Sequence, residues 1–190
     1  MMGAGPVPIP QAVANANGIV INHLGETMGT IVQQMKSMAG YIFQTQSPWV
    51  VGVAGPGSAA MEMAVANLAW EKTRVLSICN GFFSGRLAEM AERAGADVTR
   101  ETVAEGKSVT AEQVRELVDK HRPEVITIVQ GETSNTTYNH ALAEIGAIAN
   151  EYGCYLIVDA VCTLSTMELQ MDEWFLSGES ILVWLKKSVS

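Results

Sequence analysis

The sequence is short of basic residues, cysteine and long apolar runs, and each shortage removes a class of function. Twelve Lys and Arg stand against twenty Asp and Glu, a formal net charge of −8. An acidic surface of this kind repels polyphosphate backbones and anionic lipid headgroups, so no nucleic-acid and no membrane partner is expected. Cys79, Cys154 and Cys162 are an odd number set in apolar runs, with neither metal-ligand spacing nor a disulfide framework. They fit a reducing, cytoplasmic compartment. No apolar stretch approaches the roughly 20 residues of a membrane-spanning helix, and the N-terminus lacks the charged-then-apolar pattern of a secretion signal.

What is present is enough apolar material for one sizeable core: 48% of 190 residues are hydrophobic. Short β-branched runs at 49–53, 74–79, 97–103, 124–130 and 155–161 read as strands. Helical patterns separate them at 84–94, 110–121 and 139–152. Thr110 with Gln113 three residues on forms a capping box, and Gly153 closes the last helix at its C′ position. Repeated strand–helix–strand units with right-handed crossovers predict an α/β three-layer sandwich around a mainly parallel sheet. Over residues 25–41, Met28, Ile31, Val32, Met35 and Met38 recur at helical spacing, as core or interface filler. Residues 3–10, GAGPVPIP, hold three prolines and read as an extended arm. Two roles stay open for it: lying across a partner subunit or the mouth of a site, or being a loosely ordered terminus.

The chemistry-bearing residues gather where strands end. The apolar run at 155–161 is interrupted by Asp159, at the carboxyl end of a strand, where open α/β sheets bind ligands. A carboxylate there either caps the next turn or holds a cationic ring nitrogen. The run at 49–53 leads into Ala54-Gly55-Pro56-Gly57-Ser58 and a helical pattern. That arrangement either aims free amides at a phosphate or is simply a turn. No lysine of the nucleotide-binding GxxxxGK[ST] type follows. In the segment 80–86, NGFFSGR, Phe83 is placed either to stack on a planar ring or to pack in the core. The burst 130–137, QGETSNTT, puts a carboxylate and several hydroxyls one strand–helix–strand unit from Asp159.

With these residues in place, the chain resembles the class V, fold-type I pyridoxal-phosphate aminotransferases, particularly the alanine-glyoxylate and serine-pyruvate branch. The resemblance covers about residues 5–174. It rests on GPVPIP, AGPGSAAMEM, NGFFSGRLAEMAERAGADV, QGETSNT and YLIVDAVCTLSTMELQMDEW, in that order and spacing. It implies the large domain of a fold-type I enzyme, with an N-terminal arm at 1–24, a partial cofactor-binding domain at 25–174 and a divergent end at 175–190. The implied cofactor is pyridoxal 5′-phosphate. Gly57 and Ser58 would hold its phosphate, Phe83 would stack on its ring, Thr133 or Ser134 would bond near the ring oxygen, and Asp159 would pair with the ring nitrogen. The substrates implied are a small amino acid, alanine or serine, and a keto acid, glyoxylate or pyruvate, handled by a homodimer.

The departures from the family pattern fall in three places. Pro56 removes one amide donor from the glycine turn. The ETSNTTYN segment is one residue longer than in its relatives, which leaves Thr133 and Ser134 undistinguished. In the ending FLSGESILVWLKKSVS, the family's cofactor-carrying lysine falls to Lys187 by local match or to Lys186 by spacing; two solvated lysines at a chain end would look the same. Two rival readings accompany transamination of alanine or serine: a related class V enzyme acting on 2-aminoethylphosphonate or pyridoxamine, and a non-catalytic truncated large-domain fragment.

Overall fold

The computed structural model describes residues 8–175 and the backbone of 178–179. A short exposed helix, α1 (Gln11–Asn17), follows Pro10, whose fixed φ starts it. Helix α2 (Glu26–Phe43) then ends in a left-handed Gln44, and α3 (Gly57–Leu68) starts the globular unit. From there the chain alternates as expected: β1 (Arg74–Cys79), α4 (Phe82–Arg93), β2 (Asp97–Thr102), α5 (Ala111–His121), β3 (Val125–Val129). A two-stranded ribbon, β4 (Gly131–Glu132) and β5 (Thr137–Tyr138), precedes α6 (Leu142–Glu151), β6 (Tyr155–Asp159) and β7 (Gly178–Glu179).

The main sheet runs β2-β1-β3-β6-β7 with every pair parallel. Parallel neighbours need crossovers, and the helices supply them on both faces. Leu76, Ile78, Ile126, Ile128, Leu156 and Val158 face one way, onto Phe43 of α2, Val114 and Val118 of α5, and Ile145 and Ile148 of α6. The alternate residues Val75, Val125, Val129 and Ile157 face α3 and α4 through Met61, Val65, Leu87 and Met90. Strands β1, β3 and β6 are therefore buried on both sides, each fully buried Leu or Ile contributing roughly 1.5–3 kcal/mol. The three-layer α/β sandwich is thus the observed fold.

Local signals hold where they are self-contained. The capping box forms as read, with Gln113 N donating to Thr110 Oγ1 at 3.3 Å and Gln113 Oε1 accepting from Thr110 N at 2.9 Å. Gly153 takes the left-handed conformation after α6, at φ 69°.

The expected strand at 49–53 is corrected. That segment makes a single bridge at Val51 and adds no strand to the sheet. Trp49, Val51 and Val53 are 71%, 51% and 45% exposed. The run has strand propensity but pairs along no ladder, and propensity without a neighbouring edge does not make a strand. Two helix starts also move. The helix expected from 139 begins at Leu142, because buried Asn139 ties the chain to β3, donating from Nδ2 to the Val129 carbonyl at 2.6 Å and from its backbone to Gln130 O. The helix expected from 84 begins at Phe82, for a reason that lies in the site.

Candidate functional site

The carboxyl ends of β1, β3 and β6 lie side by side, with Val129 of β3 in register with Asp159 of β6. Asp159 shares its face with its strand neighbour at i−2, Ile157, and with its register partner Val129, so it points toward the α3–α4 layer. It is 2% exposed. Strand β6 stops there because the chain turns: Val161 N donates to Asp159 Oδ1 at 3.0 Å, and Thr163 and Leu164 donate to the Ala160 carbonyl. Asp159 thus takes the turn-capping role, at the carboxyl end of the strand.

The first turn of α3 stands beside that turn. A Cβ built on Gly57 would meet Val161 Cγ2 at 3.9 Å, which places the helix start next to the residue two after Asp159. Pro56 occupies the N-cap position, and no side chain among the described residues caps the helix. Gly57 and Ser58 present first-turn amides, which lack intrahelical partners at any helix start. Ser58 shares an open groove of about 960 Å3 with Gly81, Phe82 and Arg86. Asp159 does not line that groove.

The start of α4 is built differently. Its N-cap residue, Gly81, has no side chain with which to cap. The cap arrives from β4: Glu132 Oε2 accepts from Ser84 N at 2.9 Å and from Ser84 Oγ at 3.0 Å, while Oε1 accepts from Phe83 N at 3.3 Å. Ser134 adds its amide at 3.3 Å and its hydroxyl at 2.7 Å to Oε1. Burial alone would raise the pKa of Glu132, but the Ser134 hydroxyl and the amides of Ser84, Phe83 and Ser134 outweigh it and hold the carboxyl below its ordinary value. This long-range cap starts the helix two residues early and makes Ser84 its third residue rather than its first.

Phe83 is half-buried against the α3–α4 core and meets Phe82 edge-on with ring centroids 5.2 Å apart. Ser134 Oγ is committed, donating to Glu132 and accepting from Phe82 N at 2.9 Å. Thr133 is partly exposed, and its hydroxyl makes no hydrogen bond to the described residues. Lys186 and Lys187 lie outside the described residues. Sequence reasoning missed Glu132 and Ser84 as structural agents; the available signal was Gly81, a helix start that cannot cap itself.

The parallel sheet with helices on both faces is that of a fold-type I large domain. A model of the class V aminotransferase family matches residues 11–176, and the chain belongs to that family. It is 33% identical over 175 residues to the alanine–glyoxylate aminotransferase of Drosophila melanogaster, covering 92% of this chain and 44% of that protein. It is 30% identical to the (S)-ureidoglycine–glyoxylate transaminase of Bacillus subtilis, covering 92% and 42%. The crystal structure of an alanine–glyoxylate aminotransferase from Nostoc sp. superposes with a TM-score of 0.90 at 31% identity, over 93% of this chain and 47% of the other. The chain spans less than half the length of the curated relatives it matches.

Proposed function

We propose that the chain supplies the cofactor-binding part of a pyridoxal-phosphate aminotransferase that moves an amino group between alanine or serine and glyoxylate or pyruvate. The observation that carries this reading is the buried Asp159 carboxylate facing α3 and α4, with the start of α3, uncapped among the described residues, beside it. The donor set fits that cofactor group by group. Helix amides and the Ser58 hydroxyl suit a phosphate, a buried carboxylate suits a protonated ring nitrogen, Phe83 offers a flat apolar face, and Thr133 keeps an uncommitted hydroxyl. Thr133 is therefore the better candidate than Ser134 for the ring oxygen.

Bound pyridoxal phosphate supplies an electron-withdrawing ring that stabilises negative charge at the substrate α-carbon. Asp159 would hold a proton on the ring nitrogen through its charge, while Gly57 and Ser58 would hold the phosphate and so orient the ring. Lys187, with Lys186 as the alternative, would hold the cofactor and, once released by the substrate, serve as the base for the α-proton. The domain assignment that goes with this reading is a cofactor-binding unit at 25–174, preceded by an arm and followed by the lysine-bearing segment. The ureidoglycine relative is named for a different amino donor on a similar chain, so a panel of donors decides the substrate.

The exposed apolar side chains of α2 and the following loop favour a homodimer. Met35 and Met38 are each 56% exposed, and Tyr41, Trp49 and Val51 are exposed too. A monomer mass in light scattering over a wide concentration range would refute that assembly. Among the described residues no helix is long and apolar enough to cross a membrane.

The test of the cofactor assignment is pyridoxal phosphate at low excess followed by borohydride reduction. One lysine is expected to be labelled stoichiometrically, and peptide mapping places it at Lys187 or Lys186. Asp159→Ala is expected to weaken binding by tenfold or more, roughly the effect of one lost charge partner. Labelling spread over surface lysines, or unchanged binding by Asp159→Ala, contradicts the reading.

A further inference from the structure

Glu132 is a carboxylate that is 1% exposed, close to the candidate site and absent from the role assignments above. Its two oxygens accept five hydrogen bonds: three from the first turn of α4, two from Ser134. Among the described residues no opposite charge is paired with it. What stabilises it is the convergence of amide dipoles at a helix start, where a negative charge is favoured. The clamp is reinforced through Ser84, whose Oγ also accepts from Asn80 N at 3.0 Å and Gly81 N at 2.9 Å. Gly81 is part of the same device. A Cβ there would overlap Glu132 Cγ, so the space a side chain would take at the N-cap is filled by the carboxylate from the neighbouring strand end.

The clamp joins two loops that carry cofactor-facing candidates. One oxygen, Oε1, bonds both Phe83 N and Ser134 N, so the backbone carrying the Phe83 ring and the backbone carrying Thr133 and Ser134 share an anchor. Resting on the functional reading above, we propose that Glu132 is a positioning residue that sets the Phe83 ring and the Thr133 hydroxyl relative to each other for cofactor binding. It touches neither cofactor nor substrate in this role. By filling the start of α4 with the protein's own negative charge, it also leaves α3 as the anion-accepting helix start.

The test is Glu132→Gln in the full 190-residue chain. Glutamine keeps the shape but turns one acceptor into a donor facing N–H groups, leaving at least one buried donor without a partner. In the cofactor-free chain, amide hydrogen exchange at Phe83 and Ser84 is expected to speed up about tenfold relative to Val114 and Val118 in α5, the size of one lost buried bond. Pyridoxamine 5′-phosphate, which binds without attachment to a lysine, then reports the pocket. Its affinity is expected to fall about tenfold with a weakened induced dichroism of the ring band, again one unsatisfied donor's worth.

Thr110→Ala removes the cap of α5, away from the site, and is expected to lower stability while leaving both cofactor readouts unchanged. If Glu132 acts through Phe83, adding Glu132→Gln to Phe83→Ala weakens binding less than it does in the parent. A parent that binds normally, together with a Glu132→Gln variant of unaltered affinity and dichroism, overturns the positioning role and leaves the functional reading standing. A parent that binds no pyridoxamine phosphate overturns the functional reading, and the positioning role falls with it.

Discussion

Helices α3 and α4 begin at the same end of the same sheet and pack on the same face, yet their first turns are finished in opposite ways. At α4 a buried carboxylate from β4 satisfies the amides of Phe83 and Ser84. At α3 the N-cap is Pro56, no side chain among the described residues caps the helix, and Gly57 is exposed with Ser58 half-buried. Two helix dipoles of like direction thus offer two anion positions, and the chain fills one itself. The filled one joins aromatic and hydroxyl groups through shared hydrogen bonds; under the proposed reading, the open one offers its amides to an external phosphate.

The largest expected effect comes from emptying the filled position. Glu132→Ala leaves the amides of Phe83, Ser84 and Ser134 without their acceptor and is expected to cost about 3–5 kcal/mol in urea unfolding. A loss under about 1 kcal/mol would mean that water replaces the carboxylate freely. The same clamp makes stability pH-dependent. Its folded pKa is depressed, so its contribution is complete above the ordinary glutamate value of about 4.3 and is lost as pH falls through the lower folded value. The stability gap between the parent and Glu132→Gln is expected to narrow as pH drops below about 4.

One substitution made at both helix starts sharpens the contrast. Gly81→Ala drives a methyl into Glu132 and is expected to cost about 2–3 kcal/mol through overpacking. Gly57→Ala meets only an ordinary contact with Val161 and is expected to change stability by less than about 0.5 kcal/mol. Thermal or urea unfolding of the pair gives the answer, and equal costs would erase the distinction between the two starts.

The sheet was legible because its determinants are local. Runs such as Val125–Val129 and Tyr155–Asp159 announce strands buried on both faces, and Thr110, Gln113 and Gly153 announce helix ends within four residues of their partners. The segment 49–53 misled for the complementary reason: its propensity is local, but being a strand requires an edge elsewhere in the chain. The site divides along the same line. Asp159 could be placed from one strand and one turn. The start of α4 could not, because its cap lies 48 residues downstream in sequence, and only the parallel pairing of β1 with β3 brings Glu132 to Ser84. The same proximity separates Thr133 from Ser134, which the sequence left equivalent: the Ser134 hydroxyl is engaged by the clamp and the Thr133 hydroxyl is not.

The most direct measurement is an amide-resolved NMR titration of the cofactor-free chain with pyridoxamine 5′-phosphate. The open start of α3 is expected to respond first, with the largest shifts at Gly57 and Ser58 and smaller ones at Thr133 and around Asp159, while the clamped Ser84 amide holds its position. Dominant shifts at Ser84 with Gly57 and Ser58 unmoved would contradict the account, because they would put the phosphate at the helix start that Glu132 already fills.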